Sequence, residues 1–201
     1  MKLILISLIG YLIGAIPFAY VIGKVFYHTD VRQHGSGNLG GSNTGRVLGK
    51  KAGVAVMTLD LLKVTLVVFL AVQFAPHPWA AACGGLSAAL GHCYPVFAHF
   101  RGGKAVATLY GFLFGLWVCV GYSPLVFFLP LITFLVILFL FKIVALSSIL
   151  SSILAIFYVW ILGGHVSAVV AAALFALVIV IRHRSNLQRM ILGNENKVHW
   201  I

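Results

Sequence analysis

Acidic residues are nearly missing from this sequence. Asp30, Asp60 and Glu195 are the 3 carboxylates in 201 residues, against 14 Lys and Arg. A paired-carboxylate mechanism and an acidic metal site are both improbable on that inventory. Charge of either sign is scarce, at 8% of residues, while hydrophobic residues make up 62%. A water-soluble domain carries about 25% charged residues, so a surface this poor in charge is suited to lipid. Cysteine is sparse and odd in number. Cys83, Cys93 and Cys119 lie in or beside apolar runs without metal-ligand spacing, and read as small buried hydrophobes. There is no internal repeat and no low-complexity segment.

Long apolar runs are what the sequence has instead. Met1-Lys2 and the run to Gly23 imitate a secretory leader. The run is about 20 residues long and has no clear small-residue cleavage site, so it reads as a retained first span. A spanning helix needs about 20 mainly apolar residues. Candidate stretches fall at 3–23, 53–75, 79–99, 105–121, 123–141, 144–162 and 165–181. Pro76-His77-Pro78, Gly121-Tyr122-Ser123-Pro124 and Gly163-Gly164-His165 separate several of them as tight turns. The expected fold is all-α: a polytopic helical membrane protein with seven transmembrane helices, one domain over residues 1–201. Five full spans is the fallback, with the short fourth and sixth segments lying partly in the interface. Helix is required because lipid offers no partner to an unpaired backbone group.

Seven spans place Lys24, Arg32, Arg46, Lys50, Lys51, Arg101, Lys104, Lys142, Arg182, Arg184, Arg189 and Lys197 on one side. The other side receives Lys2, and Lys63 falls within the second span. Positive residues are retained on the cytoplasmic side. The expected orientation therefore has the N-terminus outside and the C-terminus cytoplasmic, in a bacterial cytoplasmic membrane. A net charge of +11 in this setting points to anionic headgroups or phosphorylated substrates rather than nucleic acid.

Three cationic segments carry candidate chemistry. The first contains Gly35, Ser36, Gly37, Asn38, Gly40, Gly41, Ser42, Asn43, Gly45 and Arg46. Successive glycines allow backbone N–H groups to converge as an anion nest. Ser36, Asn38, Ser42 and Asn43 add side-chain donors, and Arg46 adds a planar fork suited to phosphate. The alternative is a flexible linker. The second segment runs Arg101-Gly102-Gly103-Lys104 into the fourth span, where helix-terminal amides and a lysine favour an anion. It lacks the spacing of a nucleotide P-loop, and its alternative is a topological anchor. The third is Arg182-His183-Arg184 with Asn186 and Arg189, which could equally be a cationic collar. Asp60 and Lys63, three apart, read as a mutually neutralising pair, and His92 as a helix-packing histidine.

In combination these stretches resemble the bacterial PlsY family, the acyl-phosphate:glycerol-3-phosphate acyltransferases. The resemblance runs in order along nearly the whole chain. It rests on Gly35–Asn38, Asn43 with Arg46, Gly49–Lys51, Leu59-Asp60 with Lys63, Gly91-His92 with Tyr94-Pro95, Gly102–Thr108, and Arg182-His183-Arg184 with Asn186. It implies a seven-helix enzyme, opening to the cytoplasm and needing no cofactor or metal. Such an enzyme moves an acyl group from acyl phosphate to the 1-hydroxyl of glycerol 3-phosphate, giving lysophosphatidic acid and phosphate. Carried over residue by residue, Gly35, Ser36, Gly37, Asn38 and the Gly102-Gly103 turn would hold acyl phosphate. Arg46, Lys104, His183 and Asn186 would hold glycerol 3-phosphate, with Ser42 and Asn43 as further substrate contacts. Implied partners are both substrates, membrane lipids and the soluble enzyme that supplies acyl phosphate. Two positions depart from the family pattern. Gly40-Gly41-Ser42-Asn43 stands where Gly-Ala-Thr-Asn is common, keeping the hydroxyl, and Ala145 stands where a serine is usual. The competing readings are an organophosphate transporter, disfavoured by the lack of repeats, and a lipid phosphatase, disfavoured by the lack of carboxylates.

Overall fold

The computed structural model describes residues 1–198, and the elements among them are helical. The expected first span is two helices, α1 (Lys2–Gly14) and α2 (Phe18–Tyr27). Pro17 has no N–H to donate and disfavours helical backbone at Ile16, so the helix breaks there. The break makes the Ile16 carbonyl available, and Lys63 Nζ donates to it at 3.0 Å.

The first cationic segment is not loop throughout. Its second half forms α3 (Gly41–Leu48), packed against α4 (Lys50–Phe74). Gly41 and Gly53 make that approach possible: a Cβ on Gly53 would lie 2.7 Å from Gly45 Cα, and one on Gly41 would collide with Met57. The glycines of α3 therefore serve helix packing.

The expected third span stops early, as α5 (Ala80–Cys93). Pro95 ends it, and a short 3-10 turn, Val96–Ala98, follows. Then come α6 (Val106–Val118), α7 (Leu125–Phe141), α8 (Val144–Ile161) and α9 (Val166–Arg182). A last helix, α10 (Arg184–Ile191), is bent by 60° from α9. By length and composition Lys2–Tyr27, α4 and α8 each suffice to cross a membrane, and α9 with α10 qualifies as a bent pair.

The core is centred on α4, α5, α6 and α9. Val64, Val67, Val68, Leu109, Phe112, Leu113 and Phe175 are sealed from solvent there, and Phe112 stacks on Phe175 at 5.2 Å. The outside is apolar too: Phe139, Leu140 and Trp160 are each more than 60% exposed. Exposed apolar surface on this scale is lipid-facing surface. Buried serines line α8, and Ser147 and Ser148 donate to the carbonyls of Ile143 and Val144, at 2.9 and 2.8 Å. Their hydroxyl protons are thus used within the helix.

One polar group lies deep in the bundle. Asp60 and Lys63 on α4 pair at 2.7 Å, both almost fully buried, as expected of a neutralising pair. A lone charge there costs about 2.5–3.5 kcal/mol on an insertion scale. The pair is not isolated, because His92 Nδ1 on α5 lies 3.5 Å from Asp60 and 3.2 Å from Lys63 Nζ.

Candidate active site

Three segments far apart in sequence meet at one end of the bundle. Between them is a cavity of about 450 Å³ lined by residues of the first glycine loop, the α5–α6 connection and the α9–α10 bend. Of the expected contacts, Ser36, Gly37, Asn38, Gly102 and Lys104 line it. Arg101, Arg182, Arg184, Ser185 and the aromatic rings of Tyr94 and Phe100 line it as well. A second cavity of about 500 Å³, between α8 and α9, is walled by Ile153, Ile156, Phe157, Trp160 and Val169. It has no charged lining residue and cannot hold a phosphate.

The first loop is braced by its own asparagine. Asn43 is buried; its Oδ1 accepts from Ser36 N–H at 2.8 Å, and its Nδ2 donates to Val31 O and His34 O. Gly37 N–H donates to His34 O at 3.1 Å. Gly35 and Gly37 have φ of 62° and 67°, which glycine alone adopts without strain. Two amides of the expected nest, those of Ser36 and Gly37, are taken up by Asn43 Oδ1 and His34 O. What the loop presents to the cavity is Ser36, Gly37 and Asn38. Asn43 shapes the loop from behind, and Ser42 and Arg46 are not among the lining residues. Upstream, Arg32 pairs with Asp30 at 2.7 Å and stacks over Tyr20, and the guanidinium holds the Asp30 carboxyl below its ordinary value.

The second segment is fastened differently. Gly103 N–H donates to His92 O at 2.9 Å, so this amide too is unavailable to a ligand. Arg182 Nε donates to Gly103 O at 3.0 Å and its Nη2 to Gly102 O at 3.2 Å, while the guanidinium lies over the Tyr94 ring. Donors at this corner include the rest of the Arg182 fork, Lys104, and the first-turn amides of α6, which a helix never pairs internally.

Lys104 Nζ donates to Asn186 Oδ1. Asn186 Nδ2 in turn donates to Glu195 Oε1 at 2.6 Å, and Arg189 Nε donates to Glu195 Oε2 at 2.8 Å. Glu195 is the residue that sequence reasoning missed. Its only signal was a carboxylate placed just after a basic helix. Burial pushes the Lys104 ammonium down to about 8; Glu195 opposes this, while Arg189, Arg182 and Arg46 add to it. His183 is buried beside this group, and its Nδ1 lies 2.8 Å from Ile179 O. A carbonyl only accepts, so Nδ1 carries the proton and Nε2 keeps its lone pair. Burial, reinforced by the Lys104 charge, lowers His183 to about 4. The imidazole is therefore neutral near pH 7.

Fold and site together define a multi-pass, helical integral membrane protein with a cavity lined by cations at one end. The family profile described as glycerol-3-phosphate acyltransferase matches residues 4–193. Glycerol-3-phosphate acyltransferase of Geobacillus kaustophilus is 46% identical over 198 residues, covering 98% of this chain and 96% of that protein. The Listeria monocytogenes protein of the same name is 43% identical, covering 100% and 98%. Among solved structures, PlsY, an integral membrane glycerol 3-phosphate acyltransferase, superposes with a TM-score of 0.90 in its glycerol 3-phosphate form. Identity is 36%, covering 99% of this chain and 96% of that one. Its lysophosphatidic acid form gives 0.89. This chain belongs to the glycerol-3-phosphate acyltransferase family, and the transporter and phosphatase readings fall away.

Proposed function

We propose that the protein transfers a fatty acyl group from acyl phosphate to the 1-hydroxyl of glycerol 3-phosphate, releasing lysophosphatidic acid and phosphate. The observation that carries this is the single cavity in which Ser36 and Asn38, the Gly102–Lys104 turn, and Arg182 with Arg184 face one another. Two phosphates can be held there by separate groups. The solved relative named PlsY was crystallised in forms with glycerol 3-phosphate and with lysophosphatidic acid, the acceptor and product of this reaction.

In this scheme acyl phosphate lies against Ser36, Gly37, Asn38 and the Gly102-Gly103 turn, with Gly35 and Asn43 setting the loop's shape. Glycerol 3-phosphate lies against Lys104, Asn186 and His183, with Arg46 and Ser42 nearby. The acceptor hydroxyl oxygen attacks the acyl carbonyl, the carbon–oxygen bond to phosphate breaks, and the phosphate leaves with its electron pair. Acyl phosphate is a mixed anhydride with a good leaving group, so electrostatic stabilisation and alignment dominate over strong base catalysis. The hydroxyl proton passes to a substrate phosphate or to the free Nε2 of neutral His183. Loss of all single-turnover chemistry in His183→Ala at saturating substrate would rule out the substrate-assisted route.

The site opens to the cytoplasm in a bundle of seven spans with the N-terminus outside. With that count every cation outside the spans except Lys2 would fall on the cavity's side, the distribution expected of a cytoplasmic face. A soluble enzyme delivering acyl phosphate would reach it there. The deciding experiment is purified protein in detergent with acyl phosphate and labelled glycerol 3-phosphate. Lysophosphatidic acid is expected. Its formation from acyl-CoA but not from acyl phosphate would overturn the donor assignment.

A further inference from the structure

Asp60, Lys63 and His92 line neither cavity described above, yet His92 touches the Gly102–Gly103 turn that Arg182 also binds. His92 connects the buried pair to that turn. On one side its Nδ1 faces Asp60 and Lys63. With the Lys63 ammonium as donor, Nδ1 accepts and the proton resides on Nε2. On the other side the residue grips the glycine turn twice: its carbonyl accepts from Gly103 N–H, and its ring packs against Gly103 itself. The three atoms nearest to a Cβ built on Gly103 all belong to the His92 ring, and a Cβ on Gly102 would strike the His92 carbonyl. The turn so shaped offers two carbonyls to Arg182 and leads directly into Lys104. Lys63 extends the arrangement to the first span by its bond to Ile16 O.

We propose that Asp60, Lys63 and His92 are a positioning set for the phosphate-binding corner: they fix the Gly102–Gly103 turn, and through it the placement of Arg182 and Lys104, without touching substrate. The ion pair locks the imidazole ring, and the ring sets how deep the turn can sit. Small residues at 102 and 103 are required because the ring and carbonyl of His92 fill the space a side chain would need. This rests on the reading of the cavity given above.

The test is a double-mutant cycle between His92 and Gly103 in the full-length protein, read by calorimetric binding of glycerol 3-phosphate, by KM and kcat, and by thermal midpoint in detergent. Gly103→Ala pushes the turn off the ring, and His92→Ala lets it sink. Each is expected to weaken phosphate binding on the order of tenfold, since misplacement of about 1 Å costs up to a hundredfold. The double variant is expected to bind no worse than His92→Ala, because the methyl then has room. Fully additive losses overturn the proposal. Lys63→Met is expected to raise KM more than it lowers kcat. A fall in kcat and thermal midpoint with unchanged KM marks a merely structural role and also overturns it. If His92→Ala does not fold, His92→Asn keeps a polar atom facing Asp60 and Lys63 while removing the ring from Gly103; unchanged binding in that variant is contrary to the proposal. Wild type that binds glycerol 3-phosphate but makes no product from acyl phosphate sinks the proposed reaction alone, and the cycle is still decided by binding. Wild type that does not bind overturns both.

Discussion

The first glycine segment is closed by contacts within residues 31–43, with Asn43 at the start of α3 reaching back seven to twelve residues to Ser36, His34 and Val31. The Gly102–Gly103 turn is held by elements far away in the chain: by His92 on α5 and by Arg182 at the end of α9. Both are glycine-rich and both border the same cavity. Stiffness of the first is a local property, and damage to it should stay local. Stiffness of the second depends on the whole bundle, and damage to it should spread to every phosphate contact.

The largest expected effect is therefore at the second loop. Lys104→Met should lower kcat/KM about a hundredfold or more, the scale for loss of one preorganised donor. A smaller loss than that of Ser36→Ala would break the comparison. Arg182→Ala removes two bonds to the turn as well as a cavity cation. The turn keeps its bond to His92, so the expected loss is that of one charged hydrogen bond, about 1.5–3 kcal/mol or roughly tenfold to a hundredfold, with KM raised for both substrates. Asn43→Ala should cost about tenfold, confined to KM for acyl phosphate. Equal damage to both KM values there would show that the first loop is not independent.

The pH dependence probes the second region alone. Lys104 loses its proton as pH rises through about 8, so KM for glycerol 3-phosphate should climb above that pH. Lys104→Arg stays charged and should flatten the rise. His183 is neutral until pH falls to about 4. The unfolded chain takes up that proton near 6.5, so protonation favours unfolding, and stability contributed by neutral His183 declines as pH drops from 6.5 toward 4. A thermal midpoint that falls in this window for wild type, but not for His183→Gln, would confirm the sign. The smallest effect is expected at Lys51, exposed and off the cavity: Lys51→Gln should change kcat/KM by less than about twofold.

Much of this was legible before the structure. Apolar runs located α4 and α6 to α9 to within a few residues, because burial in lipid leaves a plain compositional trace. The break at Pro17 was missed although proline announces it, since hydropathy alone runs smoothly across it. Within α3, Gly41 and Gly45 pass for loop residues in sequence, and only their contact with α4 shows them as packing glycines. Glu195 could not have been placed, because nothing local says that a tail carboxylate returns to Asn186 and Arg189.

The sequence by itself determined the solvent, the helical class and the cationic and glycine-rich segments that border the cavity, since each follows from composition or from short-range spacing. Which amides are free, which tautomer His183 adopts, and which cations face the cavity were decided by tertiary structure. Those properties depend on partners tens of residues away: Gly103 N–H is lost to His92, Lys104 is bound to Asn186, and a buried imidazole answers to its neighbours' charge.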